Sequence, residues 1–223
     1  KKITKNKYIT FTNSGSSALF AACKVLGLKS GDYLWTTSNT YAASANCGIL
    51  CGAKVRFIDI DLESFNISIK DLKNKLETAI KKKKLPKILV VVHFGGNPCD
   101  LKEIYKLSKK YKFSIIEDAS HALGSKYKNK PVGNCKYSSI TVFSFHAIKN
   151  VTTGEGGAIL TNKKTIYEKS ELFINNGIEK KKGKNDYYDQ KYTGLNLRLN
   201  DFQIALGISQ LDSLKKFLLK RKF

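Results

Sequence analysis

The 223 residues carry 40 Lys and Arg against 18 Asp and Glu, a formal charge of +22, yet 42% are hydrophobic, which supports a packed core and excludes wholesale disorder. No apolar run reaches membrane-spanning length and no secretory leader opens the chain, so no membrane partner is expected, and the five scattered cysteines (Cys23, Cys47, Cys51, Cys99, Cys135) read as reduced small hydrophobes of a cytoplasmic protein. The charge is dispersed lysine with only Arg56, Arg198 and Arg221 for planar phosphate or base recognition, so a nucleic-acid-binding α/β protein stands as the rival of a different class and attraction of an anionic substrate as the preferred use.

A short strand is predicted over 8–12, followed by the small-residue turn Asn13-Ser14-Gly15-Ser16-Ser17 and an apolar helix over 18–26 that Gly27 stops. Strand, turn and helix N-terminus together make an anion cradle of free N–H groups and hydroxyls, although plain serine capping would read the same way. A strand follows over 33–37, then a small-residue helix opened by Thr40-Tyr41 and running to 50, a strand over 54–59, and an amphipathic lysine-rich helix over 69–82. The continuous apolar run over 88–93 suits a strand buried on both faces. Gly95-Gly96-Asn97-Pro98 breaks it, helical spacing returns over 101–111, and a second buried strand over 113–116 ends in Glu117-Asp118. Further strands are predicted over 140–145 and 158–161, a helix over 164–173, a long polar and aromatic loop over 178–192, and a helix capped by Asn200-Asp201 that runs through 217. The lysine runs 81–84 and 180–182 read as a solvated helix end and part of that loop. Cys47 and Cys51 share a helical face, but no further ligand sits at metal spacing, so no metal site is expected.

Alternating strands and helices imply right-handed βαβ units and a three-layer αβα domain with a mostly parallel sheet. Ligands of such sheets sit at the carboxyl ends of the strands. Ser16 and Ser17, Asp118 and His121, and Ser144 with Lys149 all fall there, which gathers hydroxyls, a carboxylate, an imidazole and an amine in one crevice. Lys149 follows a β-rich apolar run and precedes Thr152-Thr153-Gly154-Glu155-Gly156-Gly157, where backbone can pass close to a ligand or partner. A lysine so held can have a lowered pKa and form a Schiff base with an aldehyde cofactor; a surface turn with one of many lysines is the plainer reading. Asp118 could equally cap a turn, His121 pack beside it, Ser144 bond backbone, and Tyr41 pack in the core rather than stack on a cofactor. Pyridoxal 5'-phosphate asks for this set: an amine for its aldehyde, an acid for its ring nitrogen and an anion site for its phosphate. Competing motifs are missing, with no G-x-G-x-x-G opening a βαβ unit, no P-loop, no G-x-S-x-G and no H-E-x-x-H.

The motifs Asn13-Ser14-Gly15-Ser16-Ser17-Ala18-Leu19, Thr40-Tyr41, Glu117-Asp118-Ala119-Ser120-His121-Ala122-Leu123-Gly124, the stretch 144–157, Asn176-Gly177-Ile178 and Gly194-Leu195-Asn196-Leu197-Arg198-Leu199-Asn200-Asp201 occur in this order over nearly the whole chain. In them the chain resembles the DegT/DnrJ/EryC1/StrS sugar aminotransferases, fold-type I pyridoxal-phosphate enzymes. Phe145-His146-Ala147-Ile148-Lys149 is most similar to the pseudaminic-acid-pathway branch and lacks the Asn-Gly-Asn that perosamine-type relatives place before the lysine. The resemblance implies Lys149 as the catalytic Schiff-base lysine, Asp118 on the ring nitrogen, His121 near the ring, Tyr41 stacking, Ser16, Ser17 and Ser144 at the phosphate, and Arg198 reaching the neighbour's cofactor across a homodimer. It implies glutamate and a UDP-4-keto sugar as substrates, another nucleotide sugar being the alternative. Family members often hold alanine at the place of Ser17, and family dehydratases carry histidine at the place of Lys149. Residues 1–200 are expected to form the cofactor-binding large domain without its N-terminal segment, and 201–223 a long helix leading toward a small domain outside this chain, which is expected to be a fragment.

Overall fold

A computed structural model describes residues 1–180 and 188–221. In chain order the strands are β1 (Tyr8–Thr12), β2 (Tyr33–Thr37), β3 (Lys54–Ile58), β4 (Ile88–Val92), β5 (Ser114–Asp118), β6 (Lys126–Tyr127), β7 (Lys130–Pro131), β8 (Ile140–Ser144), β9 (Gly157–Thr161), β10 (Ile178–Lys180) and β11 (Tyr188–Gln190). The helices are α1 (Gly15–Val25), α2 (Ala43–Leu50), α3 (Ile69–Lys81), α4 (Leu101–Tyr111), α5 (Lys164–Phe173), α6 (Asp201–Asp212) and α7 (Leu214–Lys220).

Seven strands form one sheet in the order β1-β9-β8-β5-β4-β2-β3. The run from β3 to β8 is parallel throughout, while β9 pairs antiparallel with both β8 and β1. Successive side chains of the central strands point to opposite faces. Ile88, Val90, Ile116 and Val142 enter a core with α1, α2 and α5, whereas Leu89, Val91 and Ile115 enter a second core with α3 and α4. Burial on both faces explains the unbroken Ile-Leu-Val-Val-Val of β4 and makes the domain the three-layer αβα expected. Six strands therefore end on one edge, and β9 begins there.

Caps follow the sequence. Ser14 and Ser68 accept from backbone amides at the starts of α1 and α3, and Asn200 with Gln203 closes a capping box on α6. Gly27, just past α1, has φ +78°, the left-handed conformation that a helix-stopping glycine adopts.

Four details depart from the sequence reading. The strand read over 113–116 begins one residue later, at Ser114, and ends at Asp118, the end that the sequence reading gave it. The last helix is broken: Ser213 closes α6 and opens α7. The segment read as a loop carries β10 and β11, paired antiparallel from Ile178↔Gln190 to Lys180↔Tyr188, while 181–187, including most of the second lysine run, lie outside the described residues. A small hairpin, β6–β7, turns through Lys128 and Asn129.

Candidate active site

The strand ends at this edge enclose a cavity of about 490 Å³. One wall is the start of α1. A helix leaves its first amides without carbonyl partners; Ser14 Oγ takes that of Ser17 at 3.0 Å, and Ser14, Gly15 and Ser16 line the cavity. Two glycines let backbone form this wall. A Cβ on Gly15 would lie 2.8 Å from the Cβ of Ser144, and one on Gly157 would lie 2.4 Å from the carbonyl oxygen of Ser14. The first residue of β9 and the last of β8 thus sit directly against the α1 turn, which brings Ser144 into the same wall.

Asp118 enters from the end of β5 and is 5% exposed. Ser44 Oγ donates to its Oδ2 at 2.6 Å, and Ser120 donates to Oδ1 through its hydroxyl at 2.6 Å and its amide at 3.2 Å. Thr40 Oγ1 in turn donates to Ser44 at 2.9 Å, so the start of α2 braces the carboxylate.

Lys149 enters from the turn after β8. Its Nζ lies 2.7 Å from Nε2 of His121, which follows Asp118 by three residues. Burial lowers the pKa of Lys149, with the negative charge of Asp118 opposing it. Burial and the neighbouring Lys149 also lower that of His121, again against Asp118. The favoured pair is therefore one proton short of two cations: neutral imidazole beside the amine. The turn is anchored by the buried Val151, by the Phe145 amide on the carbonyl of Gly156 at 2.8 Å, and by the Thr153 amide on that of Phe145 at 2.9 Å. The aromatic ring of Tyr41 stands at the cavity wall, 80% exposed.

The crevice expected from the sequence thus unites Ser16, Tyr41, Asp118, His121, Ser144 and Lys149. Ser17 does not line it: its hydroxyl accepts from Ser14 Oγ at 2.9 Å, behind the first turn of α1. Arg198 is also elsewhere, exposed and donating to Asn175 Oδ1 at 2.6 Å. Sequence reasoning missed Ser44 and Ser120, the two hydroxyls that hold Asp118, and the facing pair His146 and Glu155, 3.6 Å apart at the rim. Ser120 was within reach, two residues past an acid at a strand end.

Known proteins match over the whole molecule. The model of the DegT/DnrJ/EryC1/StrS aminotransferase family matches residues 1–223. A UDP-4-amino-4,6-dideoxy-N-acetyl-beta-L-altrosamine transaminase of Campylobacter jejuni is 43% identical over 216 residues, which are 97% of this chain and 55% of that protein. Among solved structures, Helicobacter pylori PseC, an aminotransferase involved in the biosynthesis of pseudoaminic acid, superposes with TM-score 0.87 at 36% identity, covering 96% of this chain and 55% of that one. The PLP-form of the putative sugar aminotransferase Spr1654 from Streptococcus pneumoniae gives TM-score 0.87 at 28% identity over 99% of this chain and 59% of that one. The chain spans about half the length of the curated relatives it matches.

Proposed function

The chain belongs to the DegT/DnrJ/EryC1/StrS aminotransferase family, and from that premise we propose that it is the cofactor-binding part of a pyridoxal-phosphate-dependent enzyme that moves an amino group from glutamate to the 4-keto carbon of a UDP-linked deoxy sugar, of the pseudaminic acid type. The observation that carries this reading is one cavity holding a half-buried amine, a braced carboxylate and a helix N-terminus.

The donor set fits the cofactor. A phosphate is an acceptor of hydrogen bonds and an anion, which the start of α1 with Ser14 and Ser16 suits. A pyridine nitrogen that keeps its proton needs an adjacent anion, which Asp118 supplies, and a flat ring needs a flat partner, which Tyr41 supplies. When bound, pyridoxal phosphate supplies an aldehyde for amines and a ring that takes up the electron pair left when a proton leaves carbon.

The chain's own groups handle the proton. Lys149, with its pKa lowered by burial, holds a larger share of free amine near neutrality than an exposed lysine, so it can take a proton and return it. His121 meets that amine through Nε2 at 2.7 Å and orients it. Ser44 and Ser120 hold Asp118 against rotation, so the carboxylate stays aimed into the cavity.

The named relatives support the sugar and the pathway. Two Campylobacter jejuni proteins named as UDP-4-amino-4,6-dideoxy-N-acetyl-beta-L-altrosamine transaminases are 43% and 41% identical to it over 216 residues. A homodimer is part of the proposal: α6 leaves Phe202 90% and Leu206 43% exposed one turn apart, a face suited to a second copy, and Arg198, exposed and donating to Asn175 Oδ1, is the residue proposed to reach that copy's site. No helix among the described residues is long and apolar enough to cross a membrane; a cytoplasmic place is part of the proposal.

Titration of the chain with pyridoxal phosphate is expected to give a visible absorption band, and borohydride is expected to fix the label on Lys149. Lys149→Ala is expected to abolish both while the chain still melts cooperatively. Undiminished label in that variant, or label on another lysine of the wild-type chain, would refute the reading. Mass spectrometry of a UDP-4-keto sugar incubated with glutamate and the enzyme then tests the substrate pair.

A further inference from the structure

The groove beside the cavity is lined on one side by α7, a helix that sequence reasoning connected only to a region outside the chain. Leu214 of α7 is buried among Ala119, Leu123 and Val151, and Leu218 fills the space over Gly124, where a Cβ would come within 2.4 Å of it. Packed in this way, the helix ends over the lysine turn. The guanidinium of Arg221 there donates to the carbonyl of Lys149 at 2.9 Å, to that of Ile148 at 3.3 Å from both terminal nitrogens, and to Asn150 Oδ1 at 3.3 Å. Asn150 passes the connection on: its Nδ2 donates to the carbonyls of His121 at 3.2 Å and Leu123 at 2.9 Å. The two turns that carry Lys149 and His121 come from different strands, β8 and β5, and the amide of Asn150 bridges them.

We propose that Arg221 is a positioning residue for Lys149: delivered by α7, its forked guanidinium fixes the lysine turn and, through Asn150, the His121 turn, and so sets the 2.7 Å contact between the two side chains. A guanidinium suits this role because it presents several donors in one plane and holds adjacent carbonyls at once, which an ammonium on a flexible stem cannot do. Arg221 touches neither Nζ of Lys149 nor the imidazole of His121, so it acts through backbone. The charged and titratable groups around the contact are Asp118 at the end of β5, Lys149, Arg221, Lys215 on α7 at the groove, and the rim pair His146 and Glu155 in the same cavity. The positive charge of Arg221 also disfavours protonation of His121. Fork and charge therefore have separable effects.

The inference rests on reading Lys149 as the cofactor amine, but its test needs no cofactor, and reductive labelling of Lys149 reports on that reading separately. The pH midpoint of Lys149 acetylation by acetic anhydride, followed by mass spectrometry, measures the amine. Titration of the His121 ring signals by NMR measures the imidazole. In R221Q the lysine turn is expected to loosen and admit water, raising the acetylation midpoint by roughly half a pH unit and so slowing acetylation near neutrality about threefold. The His121 midpoint is expected to rise in the same variant. R221K restores the charge without the fork, so the His121 midpoint is expected to return while the Lys149 midpoint stays high. K215Q, which changes the same helix and charge without touching the turn, is expected to move neither. Unmoved midpoints in a cooperatively melting R221Q would overturn the proposal. If R221Q does not fold, R221K decides: an unmoved Lys149 midpoint there, or failure of R221K to fold, overturns it too, because Arg221 would then be a general prop of the fold.

Discussion

Asp118 shows how a single carboxylate is held for use. Its Oδ2 receives one donor, Ser44, from α2, and its Oδ1 receives two from Ser120. Ser44 is wholly buried, and its hydroxyl also takes the hydrogen of Thr40. Removing it strands an oxygen of a buried anion and a hydroxyl at once. Ser44→Ala is therefore expected to lower the unfolding free energy by about 1–3 kcal/mol, the usual cost of an unmet buried polar partner. Urea unfolding followed by the fluorescence of Trp35, the one tryptophan, measures it. A loss under about 0.5 kcal/mol would show that water or repacking replaces the hydroxyl and that Ser44 is no brace. At this scale the chemistry-bearing residues were legible and their supports were not. Asp118 and Lys149 stand out because acid and amine terminate apolar runs. Ser44 sits 74 residues from Asp118 inside a run of small residues, and nothing in the local pattern connects the two.

Below the cavity floor the strands β4, β5 and β8 share a second polar cluster on the opposite face. Glu117 alternates with Asp118 and points to the α3–α4 side, where it meets His93 Nε2 at 2.9 Å and accepts from the hydroxyls of Thr141 at 3.0 Å and Ser138. Burial opposes charge on His93, while Cys99 and Glu117 raise its pKa. With the Cys99 amide donating to Nδ1 at 3.2 Å, the neutral ring carries its proton on Nε2, facing the carboxylate. The pair is fully enclosed, so it contributes through completeness: each member is satisfied only by the others. Glu117→Leu leaves an imidazole and two hydroxyls without their acceptor, and is expected to cost about 3–5 kcal/mol, the range seen when one partner of a buried pair is removed. Glu117→Gln keeps an acceptor for the hydroxyls and is expected to cost less. Chemical denaturation of both variants checks the order, and equal costs would mean that charge, which both variants remove, rather than hydrogen bonding holds the cluster. Element boundaries followed the hydrophobic period where that signal was strong, as in α4 and α5, whose ends fall where helical spacing puts them. They failed where backbone alone makes the element. The β6–β7 hairpin turns on Lys128 and Asn129 at φ +48° and +61°, without the Asn-Gly signature of such turns, and β10–β11 pair through main chain in a polar segment.

For the molecule as a whole, the sequence states the charge but not where it lies. Among the described residues, lysines on α3, α4 and α7 stand on the exposed faces of those helices. Among the described residues several lysine–acid pairs are local and exposed, such as Lys75 with Asp71 at 2.7 Å and Lys106 with Glu103 at 2.6 Å, while Lys87 reaches Asp32, distant in sequence, at 2.8 Å. Exposed pairs of this kind contribute little to stability. With 40 basic against 18 acidic side chains, the longer-range balance is repulsive. Unfolding spreads the charges apart and relieves it, so the folded chain is the state that added salt should favour. Raising NaCl from about 10 mM to about 150 mM shortens the screening length from roughly 30 Å to roughly 8 Å, which suppresses repulsion across the domain while leaving contact pairs mostly intact. The melting temperature is expected to rise on that change, by roughly 2–4 °C for each kcal/mol of repulsion removed in a chain of this size. Calorimetry at fixed pH measures it. Sodium chloride and sodium sulfate compared at equal ionic strength separate screening from anion binding: screening alone raises the melting temperature equally in both, whereas a sulfate seated at the α1 cradle adds a further rise that Gly15→Ala, by crowding Ser144, removes. A fall in melting temperature with chloride would mean that attractive pairs dominate and would overturn this account of the charge.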